Sequence, residues 1–430
     1  MELVIKGYKF LSPSFNSLLK RKLRFIQTLA DNCEEKIIVK PDLDFKYLCS
    51  PENTLEIKNT IHNRKAVANI EKVIQLHQDF QHCDCNDRRK KIEVDLFNEA
   101  LKIPNKSHPI VKKLNGEPKV LRIINKPKDF LFTPLPFEQL TKKLNFIKTE
   151  GLTNLTGPRS YYLIESLSEL EEALIQYTIN HLLKREFLLV SVPDLLPRTV
   201  IEYCGMDTRG ERTQVYSLDE ECGRDICLSG TAEMGIAHLL QGKKFNRSKL
   251  PIKFASVSRC FRAEISKISI EKGIYRVHQF TKVEMFGLTK DTESSELLEE
   301  FCHIQETLFS ALGLYLRILD MPECELGSQA YRKFDIEGFM PGKKFWGELS
   351  SASNCTDFQT RRLGIQCEDG TYPHTINGTA CAIPRLMIAI LETNQRKDGS
   401  IEVPKNLIPY LGYETIYKSK IPPLSSFKIK

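Results

Sequence analysis

The sequence predicts an α+β domain on an antiparallel sheet. Two observations carry that prediction. Strand-like apolar runs are interleaved with helical stretches, without the spacing that repeated strand–helix–strand crossovers need. Residues 259–286 also read as a long hairpin, two apolar runs joined by a polar loop from Ser266 to Gly273.

Taken in order, Ser50-Pro51-Glu52 is a helix start, an N-cap serine with proline at the first helical position. Ile57, Ile61, Ile70, Val73, Ile74 and Phe80 then recur at spacings near three and four, with slippage around Lys65. A break at Gln81–Asp87 precedes a second helix through Ile92, Leu96 and Ala100, stopped by Pro104-Asn105. Together they predict a short antiparallel helical hairpin. Residues 105–150, rich in proline, lysine and asparagine, read as a connector with short strands. Ser168-Glu169-Leu170-Glu171 is a capping-box start of a helix running through Leu174, Tyr177 and Leu182 to about Lys184. A β-rich run from Phe187 to Val192 ends at Pro193. Residues 226–233 lead into another helical stretch. After the hairpin come a helix around 292–312, two strand–turn passages and a final helix near 385–394.

With 430 residues the chain can form one large domain and a smaller one. Its 41% apolar and 27% charged content is that of an ordinary globular protein. No apolar run approaches the roughly 18 residues of a membrane span. The net charge of +7 permits a polyanionic partner without requiring one. Thirteen scattered cysteines, an odd number, point to free thiols in a reducing compartment. His82-Cys83-Asp84-Cys85 lacks a second ligand pair and reads as a polar turn, not a zinc site. The first thirty residues are basic and amphipathic, with Glu2 the one acid before Asp31, which fits an organelle-targeting segment.

Four polar clusters interrupt apolar surroundings: Thr231/Glu233; Arg262/Glu264 with Phe280/Glu284; Glu348 with Ser350/Ser351; and Asn377/Thr379 with Arg385. A period of two puts Arg262 and Glu264 on one strand face. Buried charges are costly unless paired or used. The chain has neither a P-loop nor a Rossmann glycine fingerprint. The set suits a phosphate-bearing ligand with an adenine ring and a small zwitterion. Arginine forks match phosphate or carboxylate oxygens, carboxylates can hold Mg²⁺, and an aromatic face can stack a base. Displacement at phosphorus needs positioning and charge neutralisation but no protein nucleophile.

These residues resemble those of the seryl-tRNA synthetases, class II aminoacyl-tRNA synthetases, and most of all the animal mitochondrial form. The resemblance runs from about residue 40 to 412. Thr231-Ala232-Glu233 is similar to the family's serine-binding motif. Phe261-Arg262-Ala263-Glu264 through Arg276-Val277-His278-Gln279-Phe280-Thr281-Lys282-Val283-Glu284 resembles motif 2. Gly347-Glu348-Leu349-Ser350-Ser351 through Asp357-Phe358-Gln359 resembles the strand before motif 3, and His374-Thr375-Ile376-Asn377-Gly378-Thr379 with Arg385 resembles motif 3. Pro193 falls where motif 1 builds a dimer interface.

The resemblance implies a class II antiparallel sheet flanked by helices, with a shortened N-terminal helical-hairpin arm. It implies a mitochondrial serine–tRNA ligase that uses ATP and Mg²⁺, working in the matrix on L-serine and tRNA(Ser). A homodimer is expected, with a heterodimer with a paralogue also possible. Implied serine contacts are Thr231 and Glu233 for the ammonium, Arg262 for the carboxylate, and Glu284, Asn377 and Thr379, with Glu284 and Thr379 reading the hydroxyl. Implied ATP contacts are Arg262 on the α-phosphate, Glu264 and the Val277 backbone on adenine, Phe280 stacked on it, Glu348, Ser350 and Ser351, and Arg385 on the γ-phosphate. Glu348 would hold Mg²⁺; Arg262, Glu348 and Arg385 form the implied catalytic set.

The expected organisation is a targeting segment at 1–34, a tRNA-binding arm at 35–104, a connector at 105–150, a catalytic domain at 151–412 and a basic tail at 413–430. Three departures from the family pattern stand out. Ile270-Glu271-Lys272 precedes Gly273 where an arginine is usual, motif 3 carries Ala380 and Pro384 in place of glycines, and the arm is short. The short arm and Lys272 motivate a rival expectation: a catalytically inactive paralogue that binds a true synthetase or RNA. A third is an RNA-binding scaffold without nucleotide chemistry.

Overall fold

Eight strands form one sheet in the computed structural model, which describes residues 39–149, 159–209, 213–219, 221, 225–264 and 273–420. They are β1 (Lys119–Ile124), β2 (Leu188–Leu189), β3 (Ile252–Phe261), β4 (Gln279–Thr289), β5 (Leu316–Asp320), β6 (Arg332–Met340), β7 (Phe345–Thr356) and β8 (His374–Ala382). Their spatial order is β1-β5-β6-β7-β8-β4-β3-β2. Every neighbouring pair is antiparallel except β2 with β3. The targeting segment, the loop residues Ile270-Glu271-Lys272 and residues 421–430 lie outside the described residues.

The hairpin predicted over 259–286 is β3 paired with β4, extended at its open end to Ile252 and Thr289. One prediction within it needs correction. The strand ends at Phe261, so Arg262 and Glu264 lie beyond it. Arg262 N–H still donates to His278 O at 2.9 Å, but Ala263 N–H turns to Gln214 O at 2.9 Å. Glu264 then takes φ +43°, a left-handed conformation that strains a residue with a Cβ.

The arm also differs from prediction. Its first helix is two helices, α1 (Pro51–Asn63) and α2 (Ile70–His82). Lys65 at φ +53° breaks the rod, and Asn69 caps the restart by accepting from Lys72 N–H at 3.0 Å. The slippage at Lys65 was the trace of this break. After a turn at 83–85, α3 (Asn86–Ala100) returns against α2 and is about 22 Å long at 1.5 Å per residue. Ile57, Ile70, Val73, Leu96, Ala100 and Ile103 form the arm's own small core. Its root is tied to the sheet: Asn105 Nδ2 donates to Gln329 O, Cys355 O and Thr356 Oγ1 at 2.8–3.0 Å. Arg64 donates to Gly327 O and Ser107 Oγ.

The segment 105–150 does more than connect. It supplies edge strand β1 and a helix, α4 (Phe137–Leu144), whose buried Phe137, Leu140, Thr141 and Leu144 follow the three-and-four spacing of an amphipathic helix. Helix α5 (Ser166–Leu183) starts two residues before the capping-box serine. Helices α6 (Ala232–Leu240), α7 (Ser294–Ser310), α8 (Phe358–Leu363) and α9 (Ile383–Asn394) complete the flanks. Within residues 413–420 of the expected tail, Ile416 is buried in the core, with Thr415–Ile416 paired to Ile401–Glu402. Among the described residues, no helix is long and apolar enough to cross a membrane.

The two faces of the sheet differ chemically. Val283, Met285, Phe334, Ile336, Ala352, Ile376 and Ala380 belong to the main apolar core. The other face is polar across five adjacent strands. Alternation and register put Ser256, Ser258 and Cys260 of β3, Phe280, Lys282 and Glu284 of β4, Asn377 and Thr379 of β8, Ser351 and Ser353 of β7, and Lys333 and Asp335 of β6 on it together.

Candidate active site

Helix α6 closes over the β3–β4 end of the polar face. Thr231 is its N-cap, extended at φ −169°, and its Oγ1 accepts from Glu233 N–H at 3.4 Å. This holds Glu233 in the first turn, where the helix dipole favours an anion. Glu233 Oε1 accepts from Asn377 Nδ2 and Gln359 Nε2, each at 2.6 Å. Gln359, on α8, is fixed in turn by Thr375 Oγ1 at 2.7 Å. Burial, then the neighbouring Glu284 charge, push the Glu233 carboxyl up to about 7, against the pull of Gln359, Lys282 and Asn377.

Glu284 lies mid-strand and is 3% exposed, with Thr379 beside it on β8 and Ser256 on β3. Thr231 Oγ1 donates to its Oε2 at 3.2 Å and Thr379 Oγ1 at 3.4 Å, and Lys282 forms an ion pair with it. Three of the four predicted clusters therefore meet at one carboxylate.

At the other end, Arg385 in the first turn of α9 pairs with Glu348 Oε2 at 3.1 Å and donates to Glu348 O at 3.2 Å. A bulge in β7 explains how Glu348 shares a face with Ser351, three residues on. Glu337 pairs with Glu348 and Ile336 with Ser350, so Leu349 is the extra residue and the alternation resets. The same bulge sends Ser350 to the opposite face, where its hydroxyl donates to Thr379 O. Of the two serines expected on ATP, only Ser351 shares Glu348's face. Desolvation works to raise Glu348, but Arg385, Lys333 and Arg262 outweigh it and hold the carboxyl well below its ordinary range. Asp335, two residues from Lys333, goes the other way: burial drives it up to about 7 despite that lysine at 2.9 Å.

Between the two ends, Arg262 lies 5.4 Å over the Phe280 ring and its Nη2 donates to Gly230 O at 3.4 Å. Arg262, Glu264, Tyr275, Val277, Phe280 and Arg385 line one small cavity. Glu264 is 7% exposed and faces Arg276 at 3.6 Å and Arg159 at 3.9 Å, yet among the described residues its Oε2 has no hydrogen-bond donor. A buried acceptor left open beside an aromatic ring suits a flat ligand carrying an amine.

The structure thus brings Thr231, Glu233, Glu284, Asn377 and Thr379 together in one subsite, and Arg262, Glu264, Val277, Phe280, Glu348, Ser351 and Arg385 in the adjoining one. Sequence reasoning passed over Lys282, Gln359, Lys333 and Asp335. Alternation puts Lys282 on one face with Phe280 and Glu284, but a lysine in a strand reads as solvated, so its burial had no signal in the sequence.

Comparisons with known proteins bear on the family and the fold. The family of the tRNA synthetase class II core domain (G, H, P, S and T) matches residues 216–394. The mitochondrial serine–tRNA ligase of Mus musculus is 43% identical over 333 residues, covering 76% of this chain and 64% of the mouse protein. The chain therefore spans just under two thirds of that relative's length. The serine–tRNA ligase of Treponema denticola is 36% identical over 427 residues, covering 87% of this chain and all of the bacterial one. The crystal structure of the cytoplasmic serine–tRNA ligase of Naegleria fowleri in complex with AMP superposes with a TM-score of 0.76 at 26% identity, covering 89% of this chain and 100% of that one.

Proposed function

The chain belongs to the serine–tRNA ligase family of class II tRNA synthetases, and we propose that it activates L-serine with ATP to seryl-adenylate and transfers the seryl group to the 3′ end of tRNA(Ser). The observation that carries this reading is the continuous polar face: an amine-and-hydroxyl subsite at Glu233, Glu284 and Thr379 abuts a phosphate-and-base subsite at Arg262, Phe280 and Arg385.

In the first step a serine carboxylate oxygen attacks the α-phosphorus of ATP and the bond to the β-phosphate oxygen breaks, releasing pyrophosphate. Glu233 receives the ammonium, held in place by Thr231 at the head of α6, and Glu284 with Thr379 receive the hydroxyl. Arg262 bridges the carboxylate and α-phosphate, stabilising charge that builds on the phosphoryl oxygens. Phe280 stacks on adenine, Glu264 accepts from its amine with the Val277 backbone assisting, and Arg385 takes the γ-phosphate. The donor set also fits Mg²⁺. Glu348 is held ionised with one oxygen on Arg385 and, among the described residues, no donor on the other, and Ser351 adds a hard oxygen on the same face. Mg²⁺ held by Glu348 would supply charge neutralisation for the phosphates. In the second step a terminal tRNA hydroxyl attacks the seryl carbonyl and AMP leaves, so the protein needs no nucleophile of its own.

The mitochondrial name of the mouse relative supports a mitochondrial location, and the matrix is the compartment we propose. A homodimer with its contact around Pro193 is the assembly we propose. The non-catalytic reading finds no support in a site whose carboxylates all keep charged or hydrogen-bonding partners. Serine-dependent ATP–pyrophosphate exchange, followed by charging of mitochondrial serine tRNA, tests the function. Exchange and charging are both expected; no exchange would refute activation, and exchange without charging would refute transfer.

Two further results are expected. Serine affinity should fall as pH drops through about 7. Glu233 is raised to about 7, so it is ionised above that pH and neutral below it, and an ammonium prefers the ionised form. The serine KM should rise up to about tenfold per unit below pH 7, while the ATP KM stays nearly flat. A flat serine KM from pH 6 to 8 would remove Glu233 from ammonium binding. The tip of the arm carries Arg88, Arg89, Lys90 and Lys91, all exposed. Changing all four to glutamate should raise the tRNA KM by about tenfold or more through lost phosphate contacts, with exchange untouched. An unchanged tRNA KM would mean that the arm does not grip RNA there.

A further inference from the structure

Every protein donor that reaches Glu284 lands on the same oxygen. Thr231 Oγ1, Thr379 Oγ1 and the Lys282 ammonium all converge on Oε2. Among the described residues, no group donates to Oε1. Lys282 is 5% exposed, and a buried ammonium is costly without a matched anion. Its Nζ also donates to Thr231 Oγ1 at 2.8 Å. That second contact has a directional consequence. A hydroxyl has one proton and two lone pairs. With Lys282 and the Glu233 N–H both donating into the Thr231 oxygen, its proton is committed to Glu284. Lys282 thus holds Oε2 directly and fixes a second holder. The other charged groups around it are Glu233 from α6 and Arg262 past the end of β3, with the buried Cys260 thiol on β3.

We propose that Lys282 is a positioning residue for substrate specificity: by saturating Glu284 Oε2 together with Thr231 and Thr379, it presents Oε1 as a fixed acceptor for the side-chain hydroxyl of the amino acid. The proposal rests on the serine-activation reading above. A fixed, acceptor-only oxygen rewards a ligand that brings an O–H and leaves an unmet buried charge beside one that does not, which is how a site rejects alanine. Without Lys282 the carboxylate is free to turn, and the demand for a hydroxyl weakens.

The test compares Lys282→Met, which keeps length and volume, with the unaltered chain in pyrophosphate exchange, using serine and alanine as substrates. ATP binding by calorimetry and thermal melting report whether the variant is folded. Expected are an about 100-fold fall in kcat/KM for serine, little change for alanine, an ATP affinity within about twofold, and so an about 100-fold loss of discrimination. Lys282→Gln, which keeps a neutral donor, should lose less. The double variant Lys282→Met/Glu284→Gln should discriminate no worse than Glu284→Gln alone, because both changes act through one carboxylate. A serine-to-alanine ratio unchanged in both folded Lys282 variants would overturn the proposal, as would equal losses toward serine and ATP or an additive double variant. No serine-dependent exchange in the unaltered chain would overturn the functional reading itself, and this proposal with it.

Discussion

Glu284→Ala is expected to lower kcat/KM for serine in pyrophosphate exchange by about 10³-fold or more, while ATP binding is retained. Two losses add in that variant. The acceptor for the serine hydroxyl disappears, and a site built around a hydroxyl depends on it heavily. Lys282 is also left in the sheet without its anion, and breaking one side of a buried pair costs about 3–5 kcal/mol. Part of that cost falls on the fold, so Tm should drop by roughly 5 °C or more. The sheet should survive, because the apolar face opposite Glu284, with Val283 and Met285 fully buried, is untouched. Exchange kinetics, ATP calorimetry and thermal melting on one preparation separate these effects. Activity near that of the unaltered chain would mean that the amino-acid subsite lies elsewhere.

Arg262→Ala should have an effect of similar size in a different parameter. Removing one donor to a developing oxyanion costs about 10²–10³ in kcat. Arg262 has a second function, since its charge is one of three that hold Glu348 ionised. Its loss should move the Glu348 carboxyl upward, with Arg385 and Lys333 still holding it down. Arg262→Lys should recover little of the rate, because an ammonium keeps the charge but loses the planar fork that spans two oxygens and stacks on Phe280. Recovery to within about threefold of the normal rate would show that the fork has no role.

The readable parts of this chain were those where one local rule decided the outcome. Pro51 opens α1 because proline fits the first helical turn, and Thr231 caps α6 because its side chain satisfies an end N–H. The β3–β4 hairpin followed from period-two alternation in an antiparallel pair. Misreadings came where two rules competed or where a partner was distant in sequence. Spacing carried the first arm helix through residue 65, but the left-handed Lys65 broke it. Strand alternation carried Arg262 and Glu264 onto one face, but the strand ends at Phe261 and the backbone turns away at Ala263. Ser350 looked equivalent to Ser351 until the bulge at Leu349, which depends on the facing strand β6, sent the two to opposite sides. Lys282 was hidden for another reason. A lysine in a strand reads as solvated, and only the convergence of α6, β4 and β8 shows it buried against Glu284.

The most direct measurement is a crystal structure of this protein with a non-hydrolysable seryl-adenylate analogue. The analogue should lie along the polar face, its adenine on Phe280, its phosphate-like group and carbonyl at Arg262, its ammonium at Glu233 and its hydroxyl on Glu284 Oε1. An analogue seated away from that face, or one whose hydroxyl points away from Glu284, would contradict the assignment.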